Sequence, residues 1–301
     1  MTLRQLLRIV EIRTKIVSVS GLAIGISYTW FVSGPPPLPE TLLLSSAVLA
    51  VDMATTGFNT FFDFFTGVDS RSFNLEADKV LIHEDVAAGP ALLVSLLLYL
   101  LASVLGLVLA IRTSLWLIPI GAICMLVGFA YNAGPLPISR TPLGELFAGG
   151  FLGWALISLI IWTLHPPGAP VDSLLIGLPS LLMVASILTV NNTCDMQGDQ
   201  RSGRKTLTIL IGHNASQALI YVLGALSYIV ALVLAFRGVI PASGSVPLLF
   251  MALFSVPIYF RMHRRGYSHA TKGSSMGSIS LIFVHFSVGY LSAIWMWITG
   301  L

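Results

Sequence analysis

Residues 86–111 read VAAGPALLVSLLLYLLASVLGLVLAI, an uncharged run closed by Arg112. As a helix rising about 1.5 Å per residue it would be roughly 39 Å long, more than the roughly 30 Å of hydrocarbon in a bilayer. The bilayer is therefore its solvent. Outward from this run, residues 16–33, 41–58, 114–132, 144–164, 172–190, 214–236, 246–262 and 278–299 are further apolar segments of span length, nine in all. Lipid admits only helices or closed barrels, because no water is present to satisfy the backbone. The ten-residue alternation of barrel strands is absent. The expected fold is all-α: a polytopic membrane protein of nine transmembrane helices, forming one domain over 1–301.

Composition agrees. Of the 301 residues, 55% are hydrophobic and 10% charged, whereas soluble domains carry about 25% charged residues. Such a chain cannot cover a water-facing surface, and no nucleic-acid partner is expected. Cys124 and Cys194 are too few for a disulfide framework and read as small buried side chains. The N-terminus is basic, but the apolar run after Lys15 is long and no cleavage site follows it, which argues against a signal peptide. Arg4, Arg8, Glu11 and Lys15 share helical spacing, with Leu3, Leu6, Leu7 and Val10 on another face. That pattern predicts a helix lying on the membrane and leading into the first span.

Charge placement sets orientation. With the N-terminus inside, all 16 Lys and Arg residues but Arg112 and Arg237 fall in inside segments. This alternation supports the count of nine and puts the C-terminus outside. The cluster Arg261–Arg265 reads as a positive anchor against anionic lipid. The expected location is a cell's inner (plasma) membrane, with the N-terminus and the loops after spans two and six cytoplasmic.

Those two loops, 59–85 and 191–206, gather most of the acids. Asn59, Asp63 and Asp69 follow the second span; Asn191, Asp195 and Asp199 follow the sixth. The Asn-x-x-x-Asp spacing recurs after 132 residues, which suggests two related halves. Asp52, Asn59 and Asp63 share one helix face, within roughly 20° of Asp52. A carboxylate at the centre of a lipid-facing helix costs about 2.5–3.5 kcal/mol, so Asp52 should face the bundle interior. It either hydrogen-bonds Thr55, Thr56 or another helix, or takes part in the chemistry. Gly67 should loosen its helix so that Asp69 swings toward Asp63, and Gly203 should end the helix that carries Asp199.

Carboxylates and amide carbonyls are hard oxygen ligands of the kind Mg²⁺ takes, usually a few of them together with waters and substrate phosphates. Two such sets could hold Mg²⁺ ions around one diphosphate, with nearby Lys and Arg on the remaining oxygens. For one cluster alone, a solvated loop beside a helix end explains the residues well; for two with repeated spacing it does not. His83 has no second His nearby, and His285 reads as a satisfied core residue. Tyr131 is either an interfacial anchor or a phenol at the site. Glu145 either orients a neighbouring cation or favours its helix N-terminus.

The segments Asn59-Thr-Phe-Phe-Asp63-Phe-Phe-Thr-Gly-Val-Asp69 and Asn191-Asn-Thr-Cys-Asp195-Met-Gln-Gly-Asp199 resemble the two aspartate-rich motifs of the UbiA superfamily of intramembrane prenyltransferases. The resemblance covers nearly the whole chain. The wide first spacing, Tyr131-Asn-Ala-Gly-Pro135, Leu143-Gly-Glu-Leu-Phe147 and Gly203-Arg-Lys-Thr-Leu207 are similar to the branch that prenylates 1,4-dihydroxy-2-naphthoate in menaquinone synthesis (MenA type). Thr60 and Cys194 depart from it, standing where that branch often has Asp and Arg. The resemblance implies Mg²⁺-dependent transfer of a polyprenyl group from its diphosphate to an aromatic ring. It implies metal ligation by Asn59, Asp63, Asp69, Asn191, Asp195 and Asp199, catalytic roles for Asp63, Asp195 and Tyr131, and diphosphate contacts from Arg204, Lys205, Arg71 and Lys79.

Another prenyl acceptor (a different quinone precursor, a porphyrin-type ring or a glycerol phosphate) is the alternative within this class. An ion-coupled transporter would prefer ionisable groups near the midplane and inverted repeats. Here the acids gather at span ends on one side, and the two motifs run in the same sense.

Overall fold

The computed structural model describes residues 2–67, 80–83, 87–165 and 171–299. In chain order the helices are α1 (Leu3–Ile9), α2 (Ile16–Ser33), α3 (Leu38–Phe65), α4 (Val80–His83), α5 (Ala88–Arg112), α6 (Leu117–Asn132), α7 (Gly144–Ala148), α8 (Leu156–Leu164), α9 (Leu178–Arg201), α10 (Leu207–Ile211), α11 (His213–Phe236), α12 (Ser245–Arg265) and α13 (Lys272–Trp295). Among the described residues, eight helical stretches are long and apolar enough to cross a membrane, and α6 is a shorter apolar helix. Together they match the nine expected spans. A π-helical turn, Gly149–Ala155, joins α7 to α8 within the stretch Gly144–Leu164, where an unbroken span was expected. Two compact units are distinguished.

The first unit comprises Met1–Val19, Leu38–Thr141 and Arg201–Arg204. Here α3 packs along α5 so closely that a Cβ on Gly57 would collide with Ser95 Oγ. Small residues at such crossings let helix backbones approach in lipid. Phe58 of α3 meets Tyr99 of α5 and Phe129 of α6 edge-on, with centroids at 5.0 and 5.3 Å. Edge-to-face contact suits the aromatic quadrupole. The N-terminal helix α1 is shorter than its charge pattern predicts. Thr2 and Gln5 cap its start reciprocally, and it stops at Ile9, before Glu11 at φ +46°.

That break overturns one expectation. Lys15 does not continue the polar face of α1; it is 5% exposed. Its Nζ donates to Asp52 Oδ1 at 2.7 Å and to Thr56 Oγ1 at 2.6 Å. Ser18 Oγ donates to Asp52 Oδ2 at 2.7 Å. The cause is Asp52 itself. A carboxylate deep in an apolar helix needs a counter-charge, and a turn after α1 supplies one. Asp52 is thus committed to holding helices together.

The second unit comprises Ser20–Pro37, Pro142–Gln200 and Lys205–Leu301. Ile157, Ile160 and Ile161 of α8 are fully buried, and a Cβ on Gly25 of α2 would press on the Ile160 side chain. Gly153, in the π-helical turn, abuts the α9 backbone at Ser180 and Leu181. Trp30, Trp295 and Trp297 form a ring cluster, with Trp30 and Trp295 centroids 5.2 Å apart. His285 is half-buried, with its Nδ1 3.3 Å from Ser255 Oγ and its ring against Phe254, so it is satisfied by hydrogen bonding as expected but is not fully in the core.

Removing one member of a buried ion pair strands the other charge, at a cost of about 3–5 kcal/mol, while replacing both with apolar groups is close to neutral. Lys15→Met should therefore lower the unfolding temperature in detergent sharply. Lys15→Met combined with Asp52→Leu should recover most of the loss.

Candidate active site

Asn59 and Asp63 of the first motif and all three residues of the second lie on helices, as their shared faces predicted. The second apolar segment was drawn to end at residue 58, but α3 continues to Phe65 and carries Asn59 and Asp63. The sixth was drawn to end at residue 190, but α9 continues to Arg201 and carries Asn191, Asp195 and Asp199. Hydropathy falls at each motif while helical hydrogen bonding does not, so an apolar window ends too early. Gly67 at φ +71° follows α3 and Gly203 at φ +76° follows α9. That left-handed conformation is one glycine adopts without a Cβ penalty. Side chains four apart lie one turn above another, so Asn191, Asp195 and Asp199 form a ladder along α9, and Asn59 and Asp63 a shorter one along α3.

In the first unit, Asp63 is 8% exposed and its Oδ1 accepts from Arg204 Nη2 at 3.1 Å. Arg140 Nη2 donates to Thr66 Oγ1 at 2.6 Å, one turn past Asp63. Tyr131 is half-buried in the last turn of α6. Its neighbour Asn132 donates from Nδ2 to the Thr55 carbonyl at 3.1 Å, tying α6 to α3. Asn59 is half-buried. Asp69, Arg71 and Lys79 lie outside the described residues.

In the second unit, Asp195 Oδ2 accepts from Lys272 Nζ at 2.7 Å. Asn191 is half-buried, Asp199 is buried and Lys205 is exposed. Glu145 is 4% exposed, and its Oε1 accepts from Asn192 Nδ2 at 2.8 Å. This bond ties α7 to α9 on the residue next to Asn191, and it leaves Glu145 Oε2 without a partner among the described residues. Asn192 and Lys272 escaped the sequence reading. The Asn191-Asn192 doublet was a signal for the first. A lysine opening the last span was a signal for the second, obscured because that span was drawn from residue 278.

The donor chemistry fits Mg²⁺: carboxylate and amide oxygens on two ladders, with no soft ligand in either. Among the described residues no three His, Cys, Asp or Glu side chains gather closely enough to cage a metal. Few protein ligands is also how Mg²⁺ is usually held, with waters and substrate phosphates completing its octahedron.

Eight apolar helical stretches of span length and the shorter α6 among the described residues, two of them bearing amide–carboxylate ladders near their ends, point to a polytopic membrane enzyme. The chain belongs to the UbiA prenyltransferase family, whose model matches residues 18–282, and it is a prenyltransferase. It is 32% identical over 216 residues to the 1,4-dihydroxy-2-naphthoate octaprenyltransferase of Bacillus subtilis (strain 168), covering 72% of this chain and 67% of that protein. This similarity supports the MenA-type branch. It is 28% identical over 275 residues to the UbiA prenyltransferase domain-containing protein 1 of Gallus gallus, covering 82% of this chain and 72% of that one. A UbiA homolog from Archaeoglobus fulgidus, solved with DMAPP and Mg²⁺, shares the fold at TM-score 0.64 and 14% identity, over 94% of this chain and 99% of that chain.

Burying a polar group without its partner costs about 1–3 kcal/mol. Asn192→Leu, which strands Glu145, should lower thermal stability by that amount. Asn192→Leu with Glu145→Leu should be less destabilised than the sum of the two single changes, as a double-mutant cycle in detergent would read.

Proposed function

We propose that this enzyme transfers a polyprenyl group from polyprenyl diphosphate to 1,4-dihydroxy-2-naphthoate, with Mg²⁺ bound by Asn59, Asp63, Asp69, Asn191, Asp195 and Asp199. The observation that carries the reading is the pair of helix-borne Asn-x-x-x-Asp ladders, the hard-oxygen sets a metal–diphosphate needs. The similarity to the Bacillus enzyme supports the choice of acceptor.

Bound Mg²⁺ would neutralise charge on the departing diphosphate. Arg204 and Lys205, with Arg71 and Lys79, would take further phosphate oxygens. The allylic carbon–oxygen bond breaks with its electron pair leaving on the diphosphate. The Tyr131 ring would face the resulting allylic cation, which an aromatic face attracts. The ring carbon bearing the carboxylate then attacks that cation, and the carboxylate departs as CO₂, returning its bonding pair to the ring. The bilayer-embedded bundle keeps water from the cation. The distribution of basic residues supports an N-terminus and motif-bearing helix ends on the cytoplasmic side and a C-terminus outside, and the membrane would be the cell's inner (plasma) membrane.

Purified protein supplied with Mg²⁺, a labelled polyprenyl diphosphate and dihydroxynaphthoate should release diphosphate and CO₂ and form a labelled prenylated product. Asp63→Ala or Asp195→Ala should lower kcat by at least roughly 10²–10³-fold, the scale of losing one charge-stabilising group, in protein that stays folded by thermal unfolding. Full activity in either variant overturns the metal assignment. An acceptor panel with the same donor decides the ring: turnover of another acceptor in preference to dihydroxynaphthoate overturns that part alone.

A further inference from the structure

Lys272 occupies a place where a cation is electrostatically disfavoured. It is the first residue of the 24-residue helix α13, and the first turn of a helix carries positive partial charge that favours acids. Yet the segment before it is built to hold it there. Ser268 N donates to Thr271 Oγ1 at 2.9 Å, and Thr271 N donates to Ser268 Oγ at 3.4 Å. Thr271 Oγ1 also donates to the Gly266 carbonyl at 3.0 Å. Tyr267 is 4% exposed; its carbonyl accepts from His213 Nε2 at 2.8 Å and its hydroxyl bonds Tyr221 at 2.8 Å. Burial first, and then the Tyr221 hydroxyl, push the Tyr267 phenol far above its ordinary range, so this anchor stays neutral.

From this pinned turn the Lys272 ammonium reaches Asp195 Oδ2 at 2.7 Å, with the two side chains only 13% and 22% exposed. Asp195 is the middle rung of the α9 ladder. The contact thus sets a compact, flexibly tethered positive charge on the carboxylate that a divalent cation would need.

The geometry points to Lys272 as an exchangeable counter-ion of the second motif, a positioning residue that neutralises Asp195 until a metal–diphosphate arrives and then turns its ammonium to the diphosphate. This rests on reading Asp195 as a metal ligand. The electrostatics has two opposite signs. A fixed positive charge beside a carboxylate lowers its affinity for a second cation, and the same charge raises affinity for a polyanion. Metal alone therefore binds weakly, diphosphate strengthens it, and the site fills only when both are present.

The test uses full-length protein in lipid nanodiscs, with Mn²⁺ as a paramagnetic substitute for Mg²⁺ and inorganic diphosphate as the anion, both followed by electron paramagnetic resonance titration. In Lys272→Gln, Mn²⁺ alone should bind roughly tenfold tighter, and diphosphate in the presence of Mn²⁺ roughly tenfold weaker, the expected size of one neighbouring charge in a half-buried site. Lys272→Arg, which keeps the charge, should stay near wild type in both. Thermal unfolding of each variant monitors the fold. If Lys272→Gln leaves Mn²⁺ affinity unchanged, or if both affinities fall together, Lys272 is a structural strut and the inference is overturned. If Mn²⁺ fails to bind the wild-type protein even with diphosphate present, or binds Asp195→Asn equally well, the metal reading of the motif fails instead.

Discussion

In hydrocarbon a charge has no water to turn to, and bringing one in alone costs several kcal/mol. Three of the acids on the apolar helices meet this constraint in the same way, each by taking a cation from elsewhere in its own unit: Asp52 from Lys15, Asp63 from Arg204 and Asp195 from Lys272. Helix packing follows from it. The tight α3–α5 crossing at Gly57 and the interlock of Lys15 with α3 lie on one helix, so α3 is fixed by shape on one side and by charge on another.

The three pairs differ in what surrounds them. Around Asp52, a lysine and a serine cover both carboxylate oxygens and Thr56 accepts from the same lysine, which is how a buried pair becomes worth keeping. Asp63 and Asp195 stand on ladders with amide side chains one turn before them, and such oxygen-rich surroundings suit a hard cation better than a lone salt bridge. The Glu145–Asn192 bond lies beside the second ladder and fixes the rotation of α9 relative to α7.

Much of this was legible in the sequence. The runs without charge gave the spans, since nothing but length and apolarity is needed to cross a bilayer. The Asn-x-x-x-Asp repeat marked both ladders, because a solvated helix end accounts for one such cluster but not for the same spacing after two spans. The apolar segments stop short of the helix ends because hydropathy measures the solvent around a helix and says nothing of where its hydrogen bonds stop; the four-residue spacing and Gly203 are what carry α9 past its apolar part. Lys15 was misread because helical periodicity was carried through a turn at Glu11 that only the backbone shows. Lys272 went unmarked because a pair separated by 77 residues leaves no local pattern. The π-helical turn likewise has no apolar signature; Gly149 and Gly153 in it are explained by the approach of α9 at Ser180 and Leu181.

The spacing of the three ion pairs along the chain bears on how the protein is made. Lys15 precedes Asp52 by 37 residues, so when the acid reaches the translocon its lysine has already emerged, and the first two spans can enter lipid as a neutralised hairpin. Asp63 must wait 141 residues for Arg204, and Asp195 waits 77 for Lys272. Those two acids sit close to the ends of their helices, where headgroups and water can solvate them while the ribosome works on. The acid deepest in its span has the earliest partner, an order that suits insertion of an apolar chain whose few charges are costly in the lipid core.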